Sequence, residues 1–396
     1  MVLYGLAPEY IDYIEGDLKY ESIKNLFDES NSITGKNIGL WFKDSKFSTR
    51  NGQLKVGGVG GFGKKKGHGV WFDKSTILTA KNGNLVVIGW AGVGASEMYG
   101  VFAEQSQLSS DMGIKIRAES AESETGKRNI GINLIDNSSL SADNINLMAD
   151  GAIVHQGGKI LDGVSIEHTQ LTANNKLKIQ ATAGYGSNIS RSNAISLNKG
   201  SDLAAASIVL RGYGTANQAF TDQPADQLVA TDQTNQESKN HGVSIKSASI
   251  RSKNDLQIEG FAGRGQELLD GVHIKKSHLV AGDGMTIRGY GSDDVNGTVK
   301  FSDGIYSEKS VFESDGLIDL IGTGAQGKKL KRNFGVDLVG MEIRGSDVRI
   351  KGEGGSAFKT STESSGVYLE STNIQALNNV QIKGSSGSDV RNVETS

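Results

Sequence analysis

Apolar residues recur two apart along this chain, in short runs that repeat about every 31 residues. Four stretches show the phase: Gly163-Val164-Ser165-Ile166, Gly242-Val243-Ser244-Ile245, Gly271-Val272-His273-Ile274 and Gly366-Val367-Tyr368-Leu369. With the glycine as position zero, apolar residues follow at +1, +3, +8, +14 and +16, a small residue at +10, and Gly or Ala at +18. The frame fits eleven anchors, at Gly39, Gly69, Gly100, Gly131, Gly163, Ala194, Gly242, Gly271, Gly304, Gly335 and Gly366. Nine of their ten spacings lie between 29 and 33 residues, and one is 48. A period of two marks a strand with one buried face. Each unit therefore predicts three short strands, at +1 to +3, +8 to +10 and +14 to +16. Turn pairs such as Asn82-Gly83, Asn174-Asn175 and Asp283-Gly284 separate them. No stretch carries a convincing helical period; Asp17 to Phe27 reads as a helical turn or part of a coil.

One such unit cannot bury its apolar face, but stacked units can, each strand pairing with its equivalent in the next. The expectation is an all-β chain. Residues 37–396 form a right-handed parallel β-helix, a solenoid of about eleven coils with three strands each, and residues 1–36 an irregular segment or partial coil. At about 4.8 Å per coil the rod is roughly 50 Å long. Propeller blades need four antiparallel strands, and leucine-rich repeats a longer Leu pattern. Ser or Thr at +6 (Ser45, Ser75, Ser106, Thr169, Ser277, Ser310, Thr372) is expected at a corner, bonded to backbone of the adjoining coil. On this frame Ile179→Asp and Ile382→Asp should each prevent folding or expose the stack, because an isolated buried carboxylate is too costly to keep ionised.

Composition narrows the chemistry. There is no cysteine among the 396 residues, which excludes disulfides and Cys-based metal sites, and a net charge of −3 is too balanced for a nucleic-acid partner. No apolar run approaches the roughly 18 residues of a membrane-spanning helix, so no membrane insertion is expected. The start lacks a basic region followed by an apolar stretch, so no secretion signal is read there.

The unit Gly-Val-x-Ile-x-x-Ser-x-Leu-x-Ala-x-x-x-Leu-x-Ile-x-Gly, seen at residues 163–181, 242–260 and 366–384, resembles the coils of the filamentous-haemagglutinin-like family. These are large exoproteins of Gram-negative bacteria, exported by two-partner secretion. The family's Asn-Pro-Asn secretion motifs do not occur here, and the chain stops in mid-period, which reads as an interior segment. The resemblance implies a secreted or outer-surface adhesin segment that binds a host or bacterial surface protein or glycan. It also implies an outer-membrane secretion partner for the full-length protein. Haem acquisition, the stalk of a contact-dependent inhibition toxin and a polysaccharide-degrading β-helix are the alternatives.

Candidate binding residues lie where the repeat is irregular. The insertion 215–240 accounts for the single spacing of 48 and holds Phe220, Asp222, Asp226, Leu228, Val229, Asp232 and Glu237. It reads as an acidic recognition arm with apolar groups to insert into a protein partner, or as a tolerated passenger. Two basic loops, Lys64-Lys65-Lys66 and Lys328-Lys329 with Lys331-Arg332, suit an anionic glycan or simply solvation. The Gly-rich stretches after the third strand lack a following helix and read as turns, not phosphate loops. The six histidines are scattered, with solvated strand faces as their expected setting, and no cofactor or metal site is assigned. Tyr213, Tyr290 and Trp90 sit at loop roots, where they stack on sugar rings or pack over turns. A hydrolase needs acidic residues on adjacent coils. Glu308 and Asp319 face Val339 and Arg349 instead, and Asp73 and Glu104 match only at a corner, so no enzyme is expected.

Overall fold

The computed structural model describes residues 2–5, 36–61, 65–93, 96–121, 126–154, 158–186, 189–214, 239–263, 267–292 and 298–387. The described residues contain no helix, and every strand pairing among them is parallel. The fold is a β-solenoid with a repeat of about 31 residues. The first strand of each unit builds an eleven-stranded sheet, from Leu40–Lys43 to Val367–Glu370. The second and third strands build two further ladders. These merge into one sheet because Ser139–Asp150 and Gln170–Thr182 run through the intervening corner as single strands.

The coil count is about nine, slightly below the eleven expected. The first and last strands of the eleven-stranded sheet pair on one side only. Val2–Gly5 adds a strand to the third ladder, beside Leu54–Val59. The suggested helical turn at 17–27 lies outside the described residues.

The expected columns form the core. Val164, Ile166, Leu171, Leu177 and Ile179 are completely buried, as are Val243, Ile245, Ile250 and Leu256. Volume is traded between neighbouring coils: Phe72 stands over Ala103, and the coil that carries Ser307 at +3 carries Phe312 at +8. Ile382 departs from expectation. It occupies the right column but is 46% exposed, since among the described residues no further strand pairs beyond it.

The corner between the first and second strands repeats a device. Residue +5 takes the left-handed conformation, as at Gln105, His168, Ser247, Lys276 and Lys309. The +6 hydroxyl then bonds to the carbonyl of residue +4: Ser106 to Glu104 at 2.8 Å, Ser277 to Lys275 at 2.9 Å, Ser310 to Glu308 at 3.0 Å. It reaches the adjoining coil as well, where Ser310 Oγ accepts the N–H of Ser277 at 3.1 Å. At the third corner the chain passes so close to the next coil that a Cβ on Gly289 would lie 1.9 Å from the carbonyl oxygen of Gly304.

Candidate functional site

The described residues between coils include paired backbone. Three residues before each anchor lies a further column of parallel bridges, running Lys36–Lys66–Glu97 and then Arg128–Ile160–Arg191–Lys239–Leu268–Phe301. Near the C-terminus it widens into the ladder Thr298–Phe301, Gln326–Arg332 and Ser356–Glu363. This fourth column folds over the outer face of the first ladder, which explains why the +2 residues Trp71, Phe102, Ser196, Ser244 and Asp337 are buried although they point away from the core. No period of two marks this column in the sequence, because its residues change chemistry from coil to coil.

The insertion's Phe220, Asp222, Asp226, Leu228, Val229 and Asp232 lie outside the described residues. Its two roots do not. Tyr213 pairs in register with Phe261, and Lys239 bridges Arg191 and Leu268. The solenoid register is therefore unbroken across the insertion, and Lys239 belongs to the scaffold. Of the basic residues, Lys64 and the side chains of Lys328 and Lys329 are likewise not described. Lys66 pairs with Glu97 at 3.4 Å and lies 4.7 Å over the Trp71 ring. Lys331 is exposed, 5.7 Å over Phe301. Arg332 is not a solvated loop cation: it contacts Asp337, lies 3.7 Å from Asp303, and stacks on Phe301, Tyr306 and Phe334. The scaffold thus engages Lys66 and Arg332 in its own contacts.

Beneath this column, at the residue just before the anchor in six of the coils, lie buried polar side chains, five of them consecutive from Asp162 to Asp303. Each side chain accepts the backbone N–H of its successor in the next coil. Asp162 Oδ1 accepts from Asn193 at 2.9 Å, Asn193 Oδ1 from His241 at 3.3 Å, His241 Nδ1 from Asp270 at 3.2 Å, Asp270 Oδ1 from Asp303 at 3.1 Å and Asp303 Oδ1 from Phe334 at 2.7 Å. His68 Nδ1 does the same for Tyr99, at 3.3 Å. Only Asp, Asn and His supply an acceptor at that reach, so the alternation of three residue types hides one role. Arg191 clamps Asp162 with two bonds, at 3.3 and 2.5 Å.

Burial sets the electrostatics. His241 is held neutral by burial and by the nearby charge of His273, its Nδ1 occupied by the Asp270 N–H. His273 is lowered by burial too, opposed by its 2.8 Å bond to Asp270 Oδ2. Burial and then the charge of Asp270 push Asp303 well above the usual carboxylate range. Burial brings Lys246 down to about 8. The expectation of solvated histidines is corrected for His68 and His241, which are fully buried, and for His273, which is buried as well. The donors of His241, Asp270 and His273 lie within 4.8 Å of one another. Yet the two imidazoles stack at 4.5 Å with planes 28° apart, so their in-plane lone pairs run side by side and do not converge on one ion. This is a hydrogen-bonded stack.

His68 gives a pH prediction. Burial, with Lys66 and Lys36 nearby, pushes it from 6.5 down to about 3. A histidine kept neutral stabilises fully above its unfolded pKa and loses that contribution as pH falls from about 6.5 toward about 3. His68→Asn retains an acceptor of the kind Asn193 supplies. Urea titrations at pH 7 and pH 5 should show wild-type stability falling faster than the variant's, by up to about 1.4 kcal/mol per pH unit. Parallel pH profiles for the two proteins would contradict the assignment.

Aromatic and acidic candidates resolve similarly. Tyr213, Phe261 and Tyr290 stack on one another at 5.1 and 4.6 Å, so each inner face is covered by the next ring. Glu119 and Asp150, adjacent in register and missed in the sequence, form a carboxylate pair in which burial, then Asp150, raises Glu119. Both are satisfied, by Arg117 at 3.2 Å and Thr182 at 2.6 Å. Asp319 is clamped by Arg349 at 2.7 and 2.5 Å, and Glu308 is lowered to about 2 by its bond to Lys275. A shallow groove along the first corner is lined by Asp202, Arg251, Lys276, His278 and Lys309. The chain matches no protein family, no curated protein and no solved structure.

Proposed function

We propose that the chain is a non-catalytic display scaffold, a segment of a secreted or outer-surface adhesin in the manner of the exoproteins its coils resemble. The observation that supports this reading is the unbroken register on both sides of the insertion: Ile195 pairs with Val243 and Arg211 with Glu259 although 48 residues separate the anchors. A stack that keeps its pairing across such an excursion holds the inserted segment at a fixed edge, where recognition costs the scaffold nothing. The acidic and apolar residues of that segment suit a basic or polar protein surface better than an anionic glycan. The ligand belongs to the surface of a host or neighbouring bacterial cell, and an outer-membrane partner exports the full-length protein.

The test shortens the insertion. Because Lys239 is part of the ladder, residues 216–238 are replaced by a short Gly-Ser turn, and Lys239 is kept. Melting is expected to stay nearly unchanged while binding to host-cell surface proteins weakens at least tenfold, about 1.4 kcal/mol. Unchanged binding would assign recognition to other loops. A glycan array run alongside separates protein from glycan ligands, and depolymerisation of a polysaccharide by the purified chain would overturn the non-enzymatic reading.

A further inference from the structure

The five consecutive links from Asp162 to Phe334 share a geometry but differ in what acid does to them. Asp162, Asp270 and Asp303 accept through carboxylate oxygens, which keep a lone pair when the group takes a proton. Asn193 accepts through an amide oxygen that does not titrate. His241 is different. Its Nδ1 accepts the Asp270 N–H at 3.2 Å, so the proton of the neutral ring sits on Nε2, which is buried with no partner among the described residues. A second proton can enter only at Nδ1. There it turns the acceptor into a donor facing another donor, and the link is lost. His68 Nδ1 holds the Tyr99 N–H in the same way, but its ring stacks on a phenol, not on a second imidazole.

The surroundings of His241 oppose the charge that this proton brings. The side chain is fully buried, and its ring stacks on His273 at 4.5 Å. One carboxylate serves both imidazoles: Asp270 Oδ2 lies 2.8 Å from His273 Nδ1 and 3.6 Å from His241 Nδ1. Asp270 can neutralise one imidazolium, not two. Lys246 and Lys239 add positive charge beside His241, and Lys246 and Lys275 beside His273. Lys275 is paired with Glu308 at 2.7 Å, and Asp162, the other carboxylate near Lys246, is clamped by Arg191. Tyr306 is the next ring of the stack, 5.0 Å from His273, with Arg332 5.7 Å from it in turn.

We infer that the His241–Asp270 link is an acid-sensitive latch: when His241 takes a proton, the covering column opens between the coils anchored at Gly242 and Gly271, while the ladders beneath stay paired. The bridge between Lys239 and Leu268, and the 2.9 Å bond from the Asn240 N–H to the Leu268 carbonyl, belong to the column at that step and open with it. The ladder has its own hold, since Val243 and Ile245 pair with Val272 and Ile274 and all four are completely buried. In the open form His241 titrates near the ordinary histidine value of about 6.5, whereas burial holds the closed form well below it. Closure is therefore at full strength above about pH 6.5. Below that value the open fraction rises by up to about tenfold per pH unit, until the closed form itself takes the proton.

Hydrogen exchange of the full chain from pH 7.5 to pH 4.5 tests this, each rate being divided by the intrinsic rate at that pH. Protection of the Asp270 amide should be constant above about pH 6.5 and fall by up to about tenfold per unit below it. The Asn193 amide, held by Asp162, and the Ile245 amide, inside the ladder, should keep theirs. His241→Asn retains an acceptor of the kind Asn193 supplies and removes the proton site, so its Asp270 amide should stay protected at pH 4.5. His273→Tyr, the residue that this column carries at Tyr306, retains the stack and should still open in acid. Unchanged Ile245 protection at pH 7.5 shows that each variant is folded, and the wild-type profile reads the latch without any substitution. Asp270 protection that is independent of pH in the wild type, or that falls only together with that of Ile245, overturns the inference. So does an acid response that survives His241→Asn or vanishes with His273→Tyr.

Discussion

Ile179→Asp is expected to abolish the native stack, whereas Ile382→Asp, in the same column, is expected to leave it folded. Ile179 is completely buried between Leu147 and Leu210, with no polar side chain of its own column within reach. A carboxylate there has no partner, and burying it costs more than the few kcal/mol by which a domain is stable. The alternative, separating the coils around it, exposes both neighbouring ladders, because each coil is stabilised only through its neighbours. Ile382 stands at the open end, 46% exposed, with Ile350 on one side only. Its substitution removes one layer of contact and strands no charge. Far-UV circular dichroism and limited proteolysis of the two variants check this. A folded Ile179→Asp protein, or an unfolded Ile382→Asp protein, would contradict the column assignment.

The second large effect is expected at Arg332. Its guanidinium contacts Asp337, whose side chain is fully buried, and rests on three aromatic rings. Arg332→Leu leaves that carboxylate without its cation, a change expected to cost about 3–5 kcal/mol. Asp337→Ser should recover most of the loss in the Arg332→Leu background, since serine occupies the same column at Ser165, Ser196 and Ser244. Urea unfolding of the four proteins of the cycle measures the coupling. Additive losses would show that the pair is not a unit. Because a solenoid need not unfold as one cooperative block, hydrogen exchange in residues 326–339 provides the local readout.

The core was legible in the sequence because a single buried ladder imposes one chemistry at one spacing. Val164, Ile166, Leu171, Leu177 and Ile179 can be read directly from their intervals. What could not be read there were relations between coils. The acceptors that precede five consecutive anchors are Asp162, Asn193, His241, Asp270 and Asp303, residues that share a geometry but not a class. The stacking of His241 on His273 is likewise fixed by register, and the pairing of Arg332 with Asp337 by the fold of the column over the first ladder, where a linear reading of Lys328 to Arg332 sees only a run of charge. Phe220, Asp222, Asp226, Leu228, Val229 and Asp232 lie outside the described residues, so their role rests on the binding experiment.

The central claim is that one parallel solenoid keeps its register on both sides of residues 215–238. It is tested most directly by paired cysteines, for which a cysteine-free chain is a clean background. Val209 and Gln257 flank the insertion, lie in register on neighbouring coils, and point outward. Their Cα atoms stand about one strand spacing apart, roughly 4.8 Å, within reach of a disulfide. Thr286 is the next residue of that column, about two spacings from Val209 and out of reach. On mild oxidation, Val209→Cys with Gln257→Cys should form an intramolecular disulfide, and Val209→Cys with Thr286→Cys should not. Failure of the first pair, or formation of the second within a single chain, would contradict the account.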